Sequence, residues 1–277
     1  MKRKIIFLLL VLLVAVSSAQ IGMTLKSQHA NYLRYEPIEL TLELRNYSGN
    51  TLVFGKDDGS MTFRVRTRNG RSVASIARES NPMEGLVFAP GETRVLRLNI
   101  NQLFDLQRPD YYAIDACVEH VRLPRVYVSN EIGFEVKGGA LLLTKTFGLP
   151  TKSNTDKIRS ATANLLRFND GRNDIYCLRV EDDENVYGTF RIGPFIEGST
   201  PQLDVDSTSS IHVLVQLRPR LYAYNVYAII KGEAKLRQQR YYVPLEGTPT
   251  LSRVSGYLKI LHARVAREGE DYQIDDD

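Results

Sequence analysis

The side chains best suited to nucleophilic, acid–base or metal chemistry in this 277-residue chain are His29, His120, His212, His262, Cys117 and Cys177. None stands at a spacing that such chemistry uses. A metal ion needs several ligands arriving together, as in His-Glu-x-x-His, and these histidines are widely scattered. A serine nucleophile on a Gly-x-Ser-x-Gly elbow is absent as well. His120, beside Asp115 and Glu119 at the end of a strand-like run, is the one acid–base candidate, whereas His212 sits between apolar neighbours and reads as a hydrogen-bonded structural residue. Acids cluster at Asp57-Asp58, Asp182-Asp183-Glu184 and Asp204-Val205-Asp206. The last offers hard oxygen ligands to calcium but lacks the glycine and distal glutamate of an EF-hand loop, so a turn is expected there. The reading assigns no catalytic residue, no metal site and no cofactor, and expects no enzyme.

Two constellations point to binding or cross-linking. Arg64, Arg66 and Arg68 are two residues apart, so on a strand they share one face while Phe63 and Val65 take the other. Three guanidiniums in a stripe can grip an anionic group or a partner with forked hydrogen bonds. The alternative is a solvated face, or an edge strand charged against edge-to-edge pairing. Cys117 and Cys177 lie opposite the apolar parity of their runs, Tyr112-Ile114-Ala116-Val118 and Tyr176-Leu178-Val180. Two such cysteines in an exported chain suit a disulfide between domains, or two thiols each covered by a neighbouring layer.

Export is expected from the first nineteen residues. Lys2-Arg3-Lys4, the apolar run Ile5–Val16 and the small residues Ser17, Ser18 and Ala19 follow the order of a cleavable secretion signal. A twelve-residue helix reaches only about 18 Å, short of the roughly 30 Å hydrocarbon core. No later run is apolar enough to span, so no integral membrane segment is expected after signal cleavage. Three of the thirty-six Lys and Arg lie in the leader and none of the thirty-two Asp and Glu, which leaves the remainder at +1. Nucleic acid is therefore not an expected partner; a protein or a glycan is. Six acids fall among the last ten residues, and 267–277 is expected to be an acidic, disordered tail.

Periodicity gives the architecture. Ile38-Glu-Leu-Thr-Leu-Glu-Leu44 alternates strictly, as a strand with one buried face does. Further runs at 51–54, 61–66, 95–100, 111–118 and 132–136 are separated by Gly, Pro and Asn turns, including Asn69-Gly70. After Gly138-Gly139 come a hairpin across 165–180, a meander across 211–243 and a last strand at 256–265, with a short helix over 156–166 as an alternative. The predicted fold class is all-β, with two β-sandwich-like domains. The expected division is a signal at 1–19, a β-sandwich at 20–138, a second β-rich domain at 139–266 and the tail.

Six segments together carry a resemblance: Pro37-Ile38-Glu39-Leu40, Leu44-Arg45-Asn46-Tyr47-Ser48-Gly49, Phe63-Arg64-Val65, Gly70-Arg71-Ser72-Val73, Pro90-Gly91-Glu92-Thr93 and Pro109-Asp110-Tyr111-Tyr112. The stretch 24–137 resembles secreted bacterial immunoglobulin-like domains, in particular the BsuPI-type proteinase inhibitor domain. The resemblance implies that the sandwich at 20–138 is a small, immunoglobulin-like one with an asparagine-centred first turn; its motifs are turn and core positions, so it speaks to fold before function. An inhibitory role would need an exposed reactive loop, for which Arg78-Glu79-Ser80-Asn81-Pro82-Met83-Glu84 is the candidate. A third expectation is a hydrolase of cell-surface polymers with a cleft between the halves. The preferred one is an exported, non-enzymatic binding or structural protein.

Overall fold

The computed structural model describes residues 20–77, 81–149, 159–255 and 257–273. The expected leader lies outside the described residues, as do Arg78, Glu79 and Ser80 of the candidate reactive loop. Within them the chain is an all-β sandwich protein with one 3-10 turn at Ile100–Gln102.

The first strands are β1 (Ile21–Ser27), β2 (Asn31–Leu33), β3 (Glu39–Asn46), β4 (Leu52–Val53), β5 (Gly59–Thr67), β6 (Val87–Phe88) and β7 (Thr93–Asn99). Next come β8 (Asp110–His120), β9 (Tyr127–Val128), β10 (Ile132–Lys137), β11 (Ala140–Gly148), β12 (Ser160–Asn169), β13 (Asp174–Glu181) and β14 (Val186–Pro194). The chain closes with β15 (Gln202–Val205), β16 (Ile211–Arg218), β17 (Leu221–Ile230), β18 (Glu233–Pro244), β19 (Thr250–Val254), β20 (Tyr257–Leu261) and β21 (Ala263–Val265). Two compact units divide them. The first holds the residues up to Gln28, Ile38–Leu106 and Asp110–Glu135; the second holds His29–Pro37, Gln107–Pro109 and the chain from Val136 on.

In the first unit one sheet runs β1-β3-β7, and another includes β10, β8 and β5 with β9 alongside β8. The alternation at 38–44 does what its period requires: Leu40, Leu42 and Leu44 are wholly buried while Glu39 and Glu43 face solvent. Met61, Phe63 and Val65 of β5 and Tyr112, Ile114, Ala116 and Val118 of β8 are buried from the other sheet. Each of the larger of these side chains, Ala116 excepted, contributes about 1.5–3 kcal/mol. The first turn is built on Asn46, whose buried side-chain amide donates to the carbonyls of Asn50 (3.0 Å), Phe88 (3.0 Å) and Ala89 (3.1 Å) while its oxygen accepts from Ser48. The Asn-Gly turn forms, with Gly70 at φ 72°. Its second arm is only a bridge from Ser72 to Arg66, not the full strand the dipeptide suggests.

In the second unit the sheet β11-β12-β13-β14 faces β15-β16-β17-β18-β21, with the β19–β20 hairpin added. Ala163, Leu165, Leu178, Val213 and Tyr227 are among the residues that fill the space between. The hairpin expected across 165–180 is present, pairing Phe168 with Ile175, and residues 160–166 are strand, which overturns the helical alternative for that part; Asp156, Lys157 and Ile158 lie outside the described residues. The expected single strand at 256–265 is instead two, because His262 turns the chain at φ 61°. Arg267–Gln273 also departs from the expectation of a loose tail. Asp271 takes both terminal nitrogens of Arg264 at 2.7 and 2.8 Å, and Tyr272 packs on Tyr241 at 4.7 Å between ring centroids.

The segment His29–Pro37 lies on the outward face of β12–β14. Leu33 packs with Leu166, Phe168, Ile175 and Cys177. Glu36 receives Arg191 by two nitrogens, one of them at 3.1 Å, and accepts the Leu33 N–H at 2.8 Å, while Arg191 also donates to the Asn31 carbonyl at 2.8 Å. This cover explains why a cysteine of polar parity is buried.

Candidate binding cleft

At one end of the first unit, the loop after β4 and the loop after β8 enclose a cleft of about 440 Å³ lined by Lys56, Asp57, Asp58, Glu119, His120 and Val121, among others. Close strand approach makes it. Gly59 is paired with His120, and a Cβ on Gly59 would meet the Glu119 carbonyl at 2.7 Å and the imidazole at 2.8 Å. The loop is then tied down: the Val121 N–H donates to the Asp58 carbonyl (2.8 Å), and Arg122 donates to the Thr51 carbonyl (3.0 Å). Asn81 bonds the first residues of β5, donating to the Gly59 carbonyl (2.9 Å) and accepting from the Met61 N–H (3.1 Å).

His120 is spent on this architecture. Its Nδ1 accepts the Arg122 N–H at 3.0 Å, so Nε2 carries the proton and donates to the Val53 carbonyl at 3.0 Å. With both nitrogens committed and the ring buried against Phe54, it is a latch and not a base poised toward substrate. Beside the exposed charged side chains Lys56, Asp57, Asp58 and Arg125, the lining exposes two valines, Val121 at 71% and Val126 at 49%. Val53 and Val87, exposed cross-strand partners, lie on the β4–β6 pair that adjoins the cleft, tied to it through the Val53 and Thr51 carbonyls that accept from His120 and Arg122. Isolated exposed valines are ordinary, but a group of them around a concavity marks a contact surface.

The other expected site residues fall elsewhere. In the arginine stripe, Arg64 donates to Asp115 at 2.7 Å, Arg66 reaches Asp115 at 3.4 Å and pairs with Glu131, and Arg68 pairs with Glu135. Carboxylates from β8, from β10 and from Glu131 just before β10 thus neutralise the row, and the hydrogen bond to Asp115 raises the Arg64 pKa. An anion arriving there would have to displace three acids, a term that parity alone does not reveal.

Cys117 and Cys177 are free, buried thiols, where the sequence offered a bridge. Cys117 lies 3.6 Å from the Asp115 carboxylate, and burial raises its pKa. Cys177 is pushed up to about 12, chiefly by burial, with Glu36 adding to the effect. Neither is presented as a thiolate nucleophile.

His212 belongs to a buried chain. Its Nε2 donates to Asp206 at 3.1 Å and its Nδ1 accepts from the Tyr224 hydroxyl at 2.6 Å. Burial pushes the Tyr224 hydroxyl up to about 12. Burial would raise the Asp206 carboxyl, but bonds from Thr208, Ser210 and His212 outweigh it and hold the group below the usual range. Asp204 is likewise committed, to Arg253 at 3.2 Å and Lys145 at 3.6 Å. The pair is a turn and strand fixture, and among the described residues no group of three or more His, Cys, Asp or Glu side chains is placed to hold a metal ion. Among them also, no helix is long and apolar enough to cross a membrane.

Sequence reasoning weighed His120 as a catalyst and overlooked the valines around it. The signal was present in Val121 and Val126, apolar residues in a loop, but only the fold places Val53 and Val87 beside them. Comparison with the models of known protein families and with the curated proteins found no match to this chain.

Proposed function

We propose that this is an exported, non-enzymatic binding protein that engages a protein partner through the cleft at the end of its first unit. The observation that carries the reading is a concavity, lined by the exposed Val121 and Val126 and adjoined by the exposed Val53–Val87 pair, whose imidazole has both nitrogens bound to backbone. Stiff β-branched side chains lose little freedom on contact, which favours their use as an interface. Export rests on the leader pattern at 1–19.

Display selection of short random peptides on the folded full chain, with counter-selection on the Val121→Ser/Val126→Ser variant, tests the proposal. Peptides enriched on the wild type and lost on the variant support it. Equal recovery from both proteins, or turnover of a peptide, ester or polysaccharide substrate, overturns it.

A further inference from the structure

The cleft carries charge as well as apolar surface, and its charges are arranged differently from those of the rest of the unit. Elsewhere in the unit, several arginines are matched to carboxylates: Arg64 and Arg66 to Asp115, Arg68 to Glu135, Arg94 to Glu92. At the cleft, Asp57, Asp58 and Glu119 make no ion pair among the described residues; Glu119 accepts only the Ser60 hydroxyl, at 3.0 Å. The two cations of the lining do not close the balance. Arg125, which also lies over the Tyr127 ring at 5.2 Å, and Lys56 stand against three acids and leave the lining one negative charge in excess. His120 offers no free nitrogen to the cleft, both being bound to backbone groups.

We infer that the occupant is an extended segment of a partner protein that presents a lysine or arginine between aliphatic side chains. This rests on the reading of the cleft as a binding surface and adds the chemistry of its ligand. The cation meets the carboxylates of 57–58 and 119, and the flanking aliphatic groups cover Val53, Val87, Val121 and Val126. A volume of about 440 Å³ accommodates a long side chain with its neighbours but not a folded domain. Sulfated or uronate glycans are repelled by the same three acids, and a neutral glycan leaves both the valines and the acids unsatisfied.

The experiment follows from the peptide selection. Cleft-dependent peptides should share a Lys or Arg flanked by Val, Ile or Leu, and replacing that residue with norleucine should weaken binding to the full chain about tenfold by fluorescence polarisation. The Asp57→Asn/Asp58→Asn/Glu119→Gln variant should bind the lysine and norleucine peptides alike while keeping the wild-type circular dichroism. Single Asp57→Asn and Asp58→Asn variants give the same comparison if the triple variant unfolds. Added salt should erode the lysine preference, because exposed charges are screened. Cleft-dependent peptides without a cation, or equal affinity of the lysine and norleucine forms, would overturn this inference and leave the binding reading standing. No cleft-dependent enrichment at all would overturn both.

Discussion

Removing one partner of the Glu36–Arg191 pair should unfold the second unit far more readily than its surface charge count suggests. The Glu36 side chain is 8% exposed and Arg191 19%, and the pair is supported by the Leu33 N–H and the Asn31 carbonyl. In Arg191→Met the Glu36 carboxylate stays buried with only the Leu33 N–H as partner and without its counter-ion. Breaking a buried pair in this way costs about 3–5 kcal/mol. For a unit of this size that is a fall of roughly 6–20 °C in Tm. Glu36→Gln/Arg191→Met should recover part of the loss, because no unpaired charge is left inside. The assay is urea and thermal denaturation followed by circular dichroism for the wild type, both single variants and the double variant. A single variant within about 0.5 kcal/mol of wild type, the range of ordinary surface substitutions, would refute the claim that this pair anchors His29–Pro37.

Three further outcomes are expected. Gly59→Ala should destabilise the first unit by about 1–3 kcal/mol, since the new Cβ lies within 2.8 Å of the Glu119 carbonyl and the His120 ring; unchanged denaturation would show that the cleft is looser than described. Cys177 should resist a thiol reagent at mild alkaline pH in the native protein and react after denaturation, because burial disfavours the thiolate; fast native labelling would contradict its placement under Leu33. Asp182 is held well below the usual carboxylate range, first by the Tyr187 hydroxyl, and Asp204 and Asp206 are lowered too. Depressed folded pKa values give stability that is present above about pH 4 and lost as pH falls further. The Tm of the second unit should therefore fall below that point, and less steeply in Asp182→Asn; a pH-independent Tm in acid would contradict the ion-pair geometry.

Much of the fold was legible because period-2 alternation is a local signal. Ile38–Leu44 and the 211–243 meander read directly as strands, and in the first the buried face is the one that parity assigns. Parity fails where a second layer covers the outward face. Cys177 and His212 both lie on that face and are both buried, the first beneath Leu33 and the second in its chain with Tyr224 and Asp206. Nothing in a linear pattern announces that His29–Pro37, between two strands of the first unit, belongs to the second. The arginine stripe was legible as a shared face, but its neutralisation was not, because Asp115, Glu131 and Glu135 arrive from segments some fifty or more residues away. The valine-rimmed cleft is a product of the His120 latch, a pair of hydrogen bonds with no sequence signature.

Methyl-resolved NMR of the full chain, titrated with a cleft-selected peptide, tests the central claim most directly. The account predicts that the methyl signals of Val53, Val87, Val121 and Val126 shift together and saturate, while Val213 and Val215 in the core of the second unit stay in place. Shifts confined to other surfaces, with those four valines unmoved at saturation, would contradict it.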